Sequence, residues 1–166
     1  MEIQLKVLKS EEDYDRALAD LNRIFDAPEG TKEFDQIDVL AMLIEKYAGA
    51  FPLWLSPVQV KLLPISERFH DYVDKVAAEM KAAGIRVEAD YRSEKIGYKI
   101  REARLERDPY IVIIGEQEEA NSTLSVRSRE KGDEGAQDKA AFIERVVREN
   151  REKYNYHKNI KAEQEA

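Results

Sequence analysis

RSEKIGYKIREARLERDPYIVIIG, residues 92–115, decides the fold. Its end, YIVIIG (110–115), is an unbroken apolar run, the pattern of a central strand buried on both faces. The charged segment before it reads as a helix over roughly 95–107. Upstream, VQVKLLPI (58–65) reads as a strand. Ser66 caps a helix through Lys81 with Phe69, Val73, Val76 and Met80 at helical spacing. Gly84 closes that helix as a left-handed residue, and IRVEADY (85–91) is a second strand with alternating faces. Downstream of the quoted stretch, TLSVRSRE (123–130) returns as a strand after a polar loop. KGDEGAQ then leads into a last helix from about Asp138 to Tyr154. Strand–helix–strand–helix–strand is an α/β pattern with right-handed crossovers.

The first quarter is different. Ser10 can cap a helix running to about Phe25, with Asp13 where a capping-box acid would sit. Tyr14, Leu18, Leu21 and Phe25 form one apolar stripe. DAPEG (26–30) is turn chemistry. A second helix should start near Thr31, with Phe34, Ile37, Leu40, Ile44 and Tyr47 inward. Residues 1–47 are thus expected to be an acidic helical hairpin, 48–156 an α/β domain, and 157–166 a fraying tail.

Composition bounds the function. The chain has 166 residues, 43% hydrophobic and 37% charged, a globular balance. It contains no eighteen-residue apolar run and no signal-peptide pattern, so neither a membrane span nor secretion is expected. Zero cysteines removes disulfides, zinc–thiolate sites and cysteine nucleophiles, and fits a cytoplasmic location. The net charge of −7 opposes binding to phosphate, so its distribution matters. Residues 1–47 hold six Lys/Arg and twelve Asp/Glu, a balance of −6; the remaining 119 residues balance at −1. The acidity sits in the hairpin, and the α/β part is free to carry a basic face.

Catalytic motifs are missing. His70 and His157 are far apart, Gly97 and Gly115 are single glycines, and no HExxH, P-loop or GxSxG occurs. No metal and no cofactor is expected. What remains is basic: Arg92, Lys95, Lys99, Arg101, Arg104 and Arg107 fall within sixteen residues. Glu94, Glu102 and Glu106 interleave with them, so the run reads either as an anion-binding face or as surface ion pairs.

IEKYAGAFPLWLSPVQVKLLPIS, AGIRVEADYRSEKIGYKIREA, PYIVIIGEQE and LSVRSREKGDEG carry a resemblance. From about Ile44 to Arg148 the chain closely resembles the C-terminal anticodon-binding domain of bacterial threonyl-tRNA synthetase. The resemblance implies a mixed, about five-stranded sheet flanked by three helices, the anticodon-binding fold of class IIa aminoacyl-tRNA synthetases. It implies binding to the anticodon loop of threonine tRNA. It places that family's anticodon contacts at Ser93, Lys95, Arg101, Glu118 and Arg127, with Lys99 beside them attracting the RNA backbone. The family commonly has asparagine where Ser93 stands and often lysine where Gln117 stands. Glu118 reads equally as a base acceptor or as a solvated loop carboxylate. In that family the catalytic core precedes this domain and uses zinc ligands made from cysteine and histidine. Some forty cysteine-free residues precede it here, so the chain is not expected to be an enzyme on its own.

EEDYDRALADLNRIFD followed by APEGTKEFDQIDVLAMLIEKY resembles the N-terminal helical segment of HigA-type antitoxins, without their DNA-binding helix-turn-helix. That implies a homodimer through residues 1–47 and no DNA binding. Two readings result: a non-catalytic tRNA-anticodon-binding domain, and an engineered or recombined assembly module whose hairpin self-associates while the α/β domain is cargo.

Overall fold

The structure, a computed structural model, describes residues 3–153; His157 and the expected tail 157–166 lie outside the described residues. The chain divides into two compact units, the first ending at Phe51 and the second beginning at Pro52.

The first unit is a pair of helices, α1 (Glu11–Ile24) and α2 (Lys32–Ala48). Ser10 caps α1 by accepting from the Asp13 N–H at 3.2 Å. The Asp13 carboxylate accepts from the Lys9 N–H and pairs with Lys6 at 2.7 Å, closing the cap from the other side. Thr31 caps α2 in the same way, and Gly49 ends it at φ 76° with its N–H on the Glu45 carbonyl. Tyr14, Ala17, Leu21 and Ile24 are buried on α1, and Leu40 and Ile44 on α2. The expected stripe is therefore rotated. Ala17 and Ile24 replace Leu18 and Phe25, because Phe25 is the capping residue and is 46% exposed.

The second unit is built as β1 (Val60–Pro64), α3 (His70–Ala82), β2 (Val87–Ala89), α4 (Ile96–Leu105), β3 (Tyr110–Ile114), α5 (Glu116–Asn121), β4 (Thr123–Ser128), β5 (Gly132–Asp138) and α6 (Lys139–Arg151). The sheet order is β2-β1-β3-β4-β5, with β2, β1 and β3 parallel and β4 and β5 antiparallel. It is a mixed five-stranded α/β sheet. Two elements depart from the residue pattern: the polar loop after β3 is the short helix α5, and KGDEGAQ supplies the edge strand β5.

Strand alternation divides the core. Val60, Leu62, Tyr110, Val112, Ile114, Leu124 and Val126 point to one face, where Val73, Val76 and Met80 of α3 and Phe142 and Val146 of α6 cover them. Burying these side chains supplies the main stabilisation, about 1.5–3 kcal/mol for each large one. A polar network crosses this layer. The Tyr110 hydroxyl donates to Glu149 at 2.5 Å, and Arg145 donates to Glu149 and to Glu134 of β5. The opposite face carries Leu63 and Ile111, covered by Ile96, Ile100 and Ala103 of α4 alone.

Asp108 lies between α4 and β3 and is buried, with Oδ2 lacking a hydrogen-bond partner among the described residues. Burial pushes its pKa up to about 6; Lys61 opposes the rise, while Glu106 and Glu88 add to it. Because the folded value is raised, the contribution of Asp108 to stability is full below the unfolded pKa and is lost as pH rises through about 6. Asp108→Asn is expected to stabilise the protein by about 1–2 kcal/mol above pH 6 and to have little effect near pH 4. Urea unfolding of both proteins at the two pH values checks this.

Candidate nucleic-acid interface

The unequal cover of the sheet creates the candidate site. On the α4 face the helix packs over β1 and β3, through Leu63 and Ile111, whereas the β4 residues of that face and much of β5 are partly exposed. On β4, Leu124, Val126 and Ser128 are buried, so Thr123, Ser125 and Arg127 point to the open face and are only partly buried. Arg127 stands opposite Ile111 in the β3–β4 register, which places it beside the ground that α4 covers.

The position of α4 is set by a lysine. Lys99 is 3% exposed, and its ammonium donates to the carbonyls of Asp90 at 2.9 Å and Pro64 at 3.4 Å. It thus pins the first half of α4 to the carboxyl ends of β1 and β2. The expectation that Lys99 attracts an RNA backbone from the surface does not hold at this position: Lys99 lies three residues after Ile96 and four before Ala103, on the helix face that packs inward. Arg92 is also committed. It forks onto both Asp90 carboxylate oxygens at 2.9 and 2.7 Å and also contacts Glu102. These hydrogen bonds hold the Asp90 pKa below the usual carboxylate range against the effect of burial.

The two flanks of α4 differ in chemistry. Glu102 reaches Arg92, and Glu106 reaches Lys61 at 3.2 Å beside Glu88, so this flank faces β2. Helical geometry puts Gly97, Arg101 and Arg104 on the other flank, toward the open half of the sheet. Arg101 is exposed and makes no ion pair or hydrogen bond through its side chain among the described residues. The alternative pairing with Glu102 is not formed, because Glu102 is taken by Arg92. Ser93 and Lys95 are exposed at the start of the helix, and Lys95 is likewise without a side-chain partner among the described residues. At Gly97 a side chain would meet nothing within 4 Å, so the helix surface there is open.

Glu118 is on α5, not in a loop. One carboxylate oxygen accepts from the Gly115 N–H at 2.9 Å and caps the helix. Gly115 lies close to Ile65, the residue after β1: an added Cβ would stand 2.7 Å from its Cδ1 and push that exposed side chain aside. Glu118 is therefore held at the carboxyl ends of β1 and β3, the end where Lys99 pins α4. Arg127 pairs with Asp133 of β5 at 3.2 Å, and its Nε is buried with no hydrogen-bond partner among the described residues. Asp133 was not among the expected residues; the irregular register between Val126 and Arg127 is what brings it opposite.

α4 and the strand β4 do not lie side by side at an edge of the sheet. β4 is interior, β5 is the edge, and α4 crosses the face over β1. The chemistry of the site is that of donors: two arginines and a lysine beside one carboxylate, a hydroxyl and an open strand surface. Among the described residues no group of His, Asp and Glu side chains is arranged to hold a metal ion, and no helix is long and apolar enough to cross a membrane.

Comparison with known proteins assigns this arrangement to a family. The family model described as "Anticodon binding domain" matches residues 59–149. A threonine–tRNA ligase of Clostridium botulinum is 64% identical over 110 residues, 66% of this chain but 17% of that ligase. The matched part is the anticodon-binding domain and not the catalytic core. The solved RNA binding domain of threonyl-tRNA synthetase from Cryptosporidium parvum superposes with a TM-score of 0.60 at 30% identity, covering 68% of this chain and 28% of that one. Histidyl-tRNA synthetase from Nostoc shares the fold, with a TM-score of 0.54 at 21% identity over 68% of this chain and 27% of its own. The chain belongs to the anticodon-binding domain family, and its sheet unit is homologous to that domain of threonyl-tRNA synthetase.

Proposed function

We propose that the sheet unit binds the anticodon loop of threonine tRNA in the cytoplasm and performs no aminoacylation by itself. The observation that carries this reading is the partly exposed half of the α4 face, bordered by Arg101, whose side chain has no partner among the described residues, and by Arg127. An unpaired loop exposes base edges, and arginine forks, a hydroxyl and a carboxylate supply the donors and acceptors that read them. Arg101, Arg127, Ser93 and Glu118 take the base-reading roles. Lys95 attracts the backbone, a charge contact without sequence information. Lys99 acts on the site from beneath, by holding α4 in place.

The test is filter binding of the whole chain to threonine tRNA and to the same tRNA with a swapped anticodon. The reading requires tighter binding of the first. Equal binding of the two at matched salt overturns it. Pyrophosphate–ATP exchange should show no dependence on threonine.

A second reading concerns the first unit. Phe25, Phe34 and Met42 of the hairpin are 46%, 39% and 60% exposed. Such an apolar surface on a small unit favours self-association, and a homodimer through residues 1–47 is the expected state. Sedimentation at high micromolar concentration should give twice the chain mass, and deletion of residues 1–40 should return it to one. A monomer in the first measurement removes the idea.

A further inference from the structure

On the outward side of α4, an aromatic ring stands between Lys95 and Arg101. Tyr98 is 49% exposed and belongs to neither hydrophobic cluster of the sheet unit. It lies three residues from each cation, and residues three apart are neighbours on a helix surface. Glu102, four residues on, raises the phenol pKa, and it contacts Arg92, which forks onto the buried Asp90.

A strand of RNA held at both Lys95 and Arg101 must pass over the residue between them. We propose that Tyr98 is a stacking platform for an unpaired base of the bound loop, which deepens the anticodon-binding reading and rests on it. Stacking on an aromatic face accepts any base. Tyr98 therefore contributes affinity without discrimination, the opposite of the role of Arg101.

The experiment uses the whole chain and RNA hairpins carrying the threonine anticodon loop, with the fluorescent base 2-aminopurine at each loop position in turn. Stacking quenches this base, so one position should darken on binding to the wild-type protein. Tyr98→Ala and Tyr98→Leu should both abolish that quenching and weaken binding about tenfold, for matched and swapped anticodons alike. Tyr98→Phe keeps the ring and should retain the quenching. The residue is exposed, so these variants are expected to fold, and circular dichroism checks that they do. If Tyr98→Ala binds and quenches as the wild type does, while Arg101→Ala loses discrimination, the platform is disproved and the anticodon reading survives. If the wild-type chain itself does not distinguish the two loops, the anticodon reading fails first and the platform with it.

Discussion

Replacing Lys99 with alanine is expected to lower the unfolding free energy of the sheet unit by about 2–4 kcal/mol, and not to act through RNA affinity. The change removes a donor from the carbonyls of Pro64 and Asp90 in a site where the lysine is 3% exposed. Those carbonyls cannot turn to water without moving the ends of β1 and β2. The four-carbon stem also leaves a void against the sheet. Lys99→Met fills that void but supplies no donor, so it should recover about half of the loss. Urea unfolding midpoints of the three proteins decide the matter. An unchanged midpoint for Lys99→Ala, with a shallower salt dependence of RNA binding, would mean that the ammonium turns outward and contacts phosphate.

Arg101→Ala should behave in the reverse manner. The side chain is exposed and makes no bond among the described residues, so stability should change by no more than about 0.5 kcal/mol. Its loss should narrow the difference in binding between matched and anticodon-swapped tRNA by about 1–3 kcal/mol, the range for a bidentate contact to a base edge. Lys95→Ala supplies the contrast. It should weaken both RNAs equally and reduce the slope of log affinity against log salt by about 1. Measuring the two variants against two RNAs at two salt concentrations separates the roles. If Arg101→Ala shifts both RNAs by one factor, Arg101 contacts phosphate, and base reading rests on Arg127 and Glu118.

The sequence yields the elements wherever apolar residues mark them. β1, β3, α3 and both hairpin helices follow from apolar spacing, and the capping of α1 by Ser10 is formed as expected; Ser66 makes no side-chain cap, and a 3-10 turn, Glu67–Phe69, precedes α3. β5 could not be found in this way: GDEGAQD has one alanine and no larger apolar side chain, and its pairing depends on backbone hydrogen bonds to β4. α5 is six polar residues long, too short to show a period. Lys99 was misplaced for a different reason. A lysine suggests the surface, since it is rarely fully buried, yet its spacing from Ile96 and Ala103 already put it on the inner face. Arg127, named through the resemblance, alternates with Leu124 and Val126 and so turns away from the main core. The partnership of Arg92 with Glu102 spans ten residues and two elements, so only the fold reveals it.

Both margins of the sheet are poor templates. β2 is three residues long, and β5 holds Gly132 and Gly135 at φ 75°, together with Asp133 and Glu134, where a continuous apolar ribbon would otherwise run. A foreign strand approaching β2 finds only three residues to pair with, and one approaching β5 finds no large hydrophobic side chain. Strands of this length in an aggregation-prone protein would need a chaperone or a covering helix at each side. Here the protection lies in strand length, glycine conformation and charge, so the sheet's own margins oppose edge-to-edge stacking.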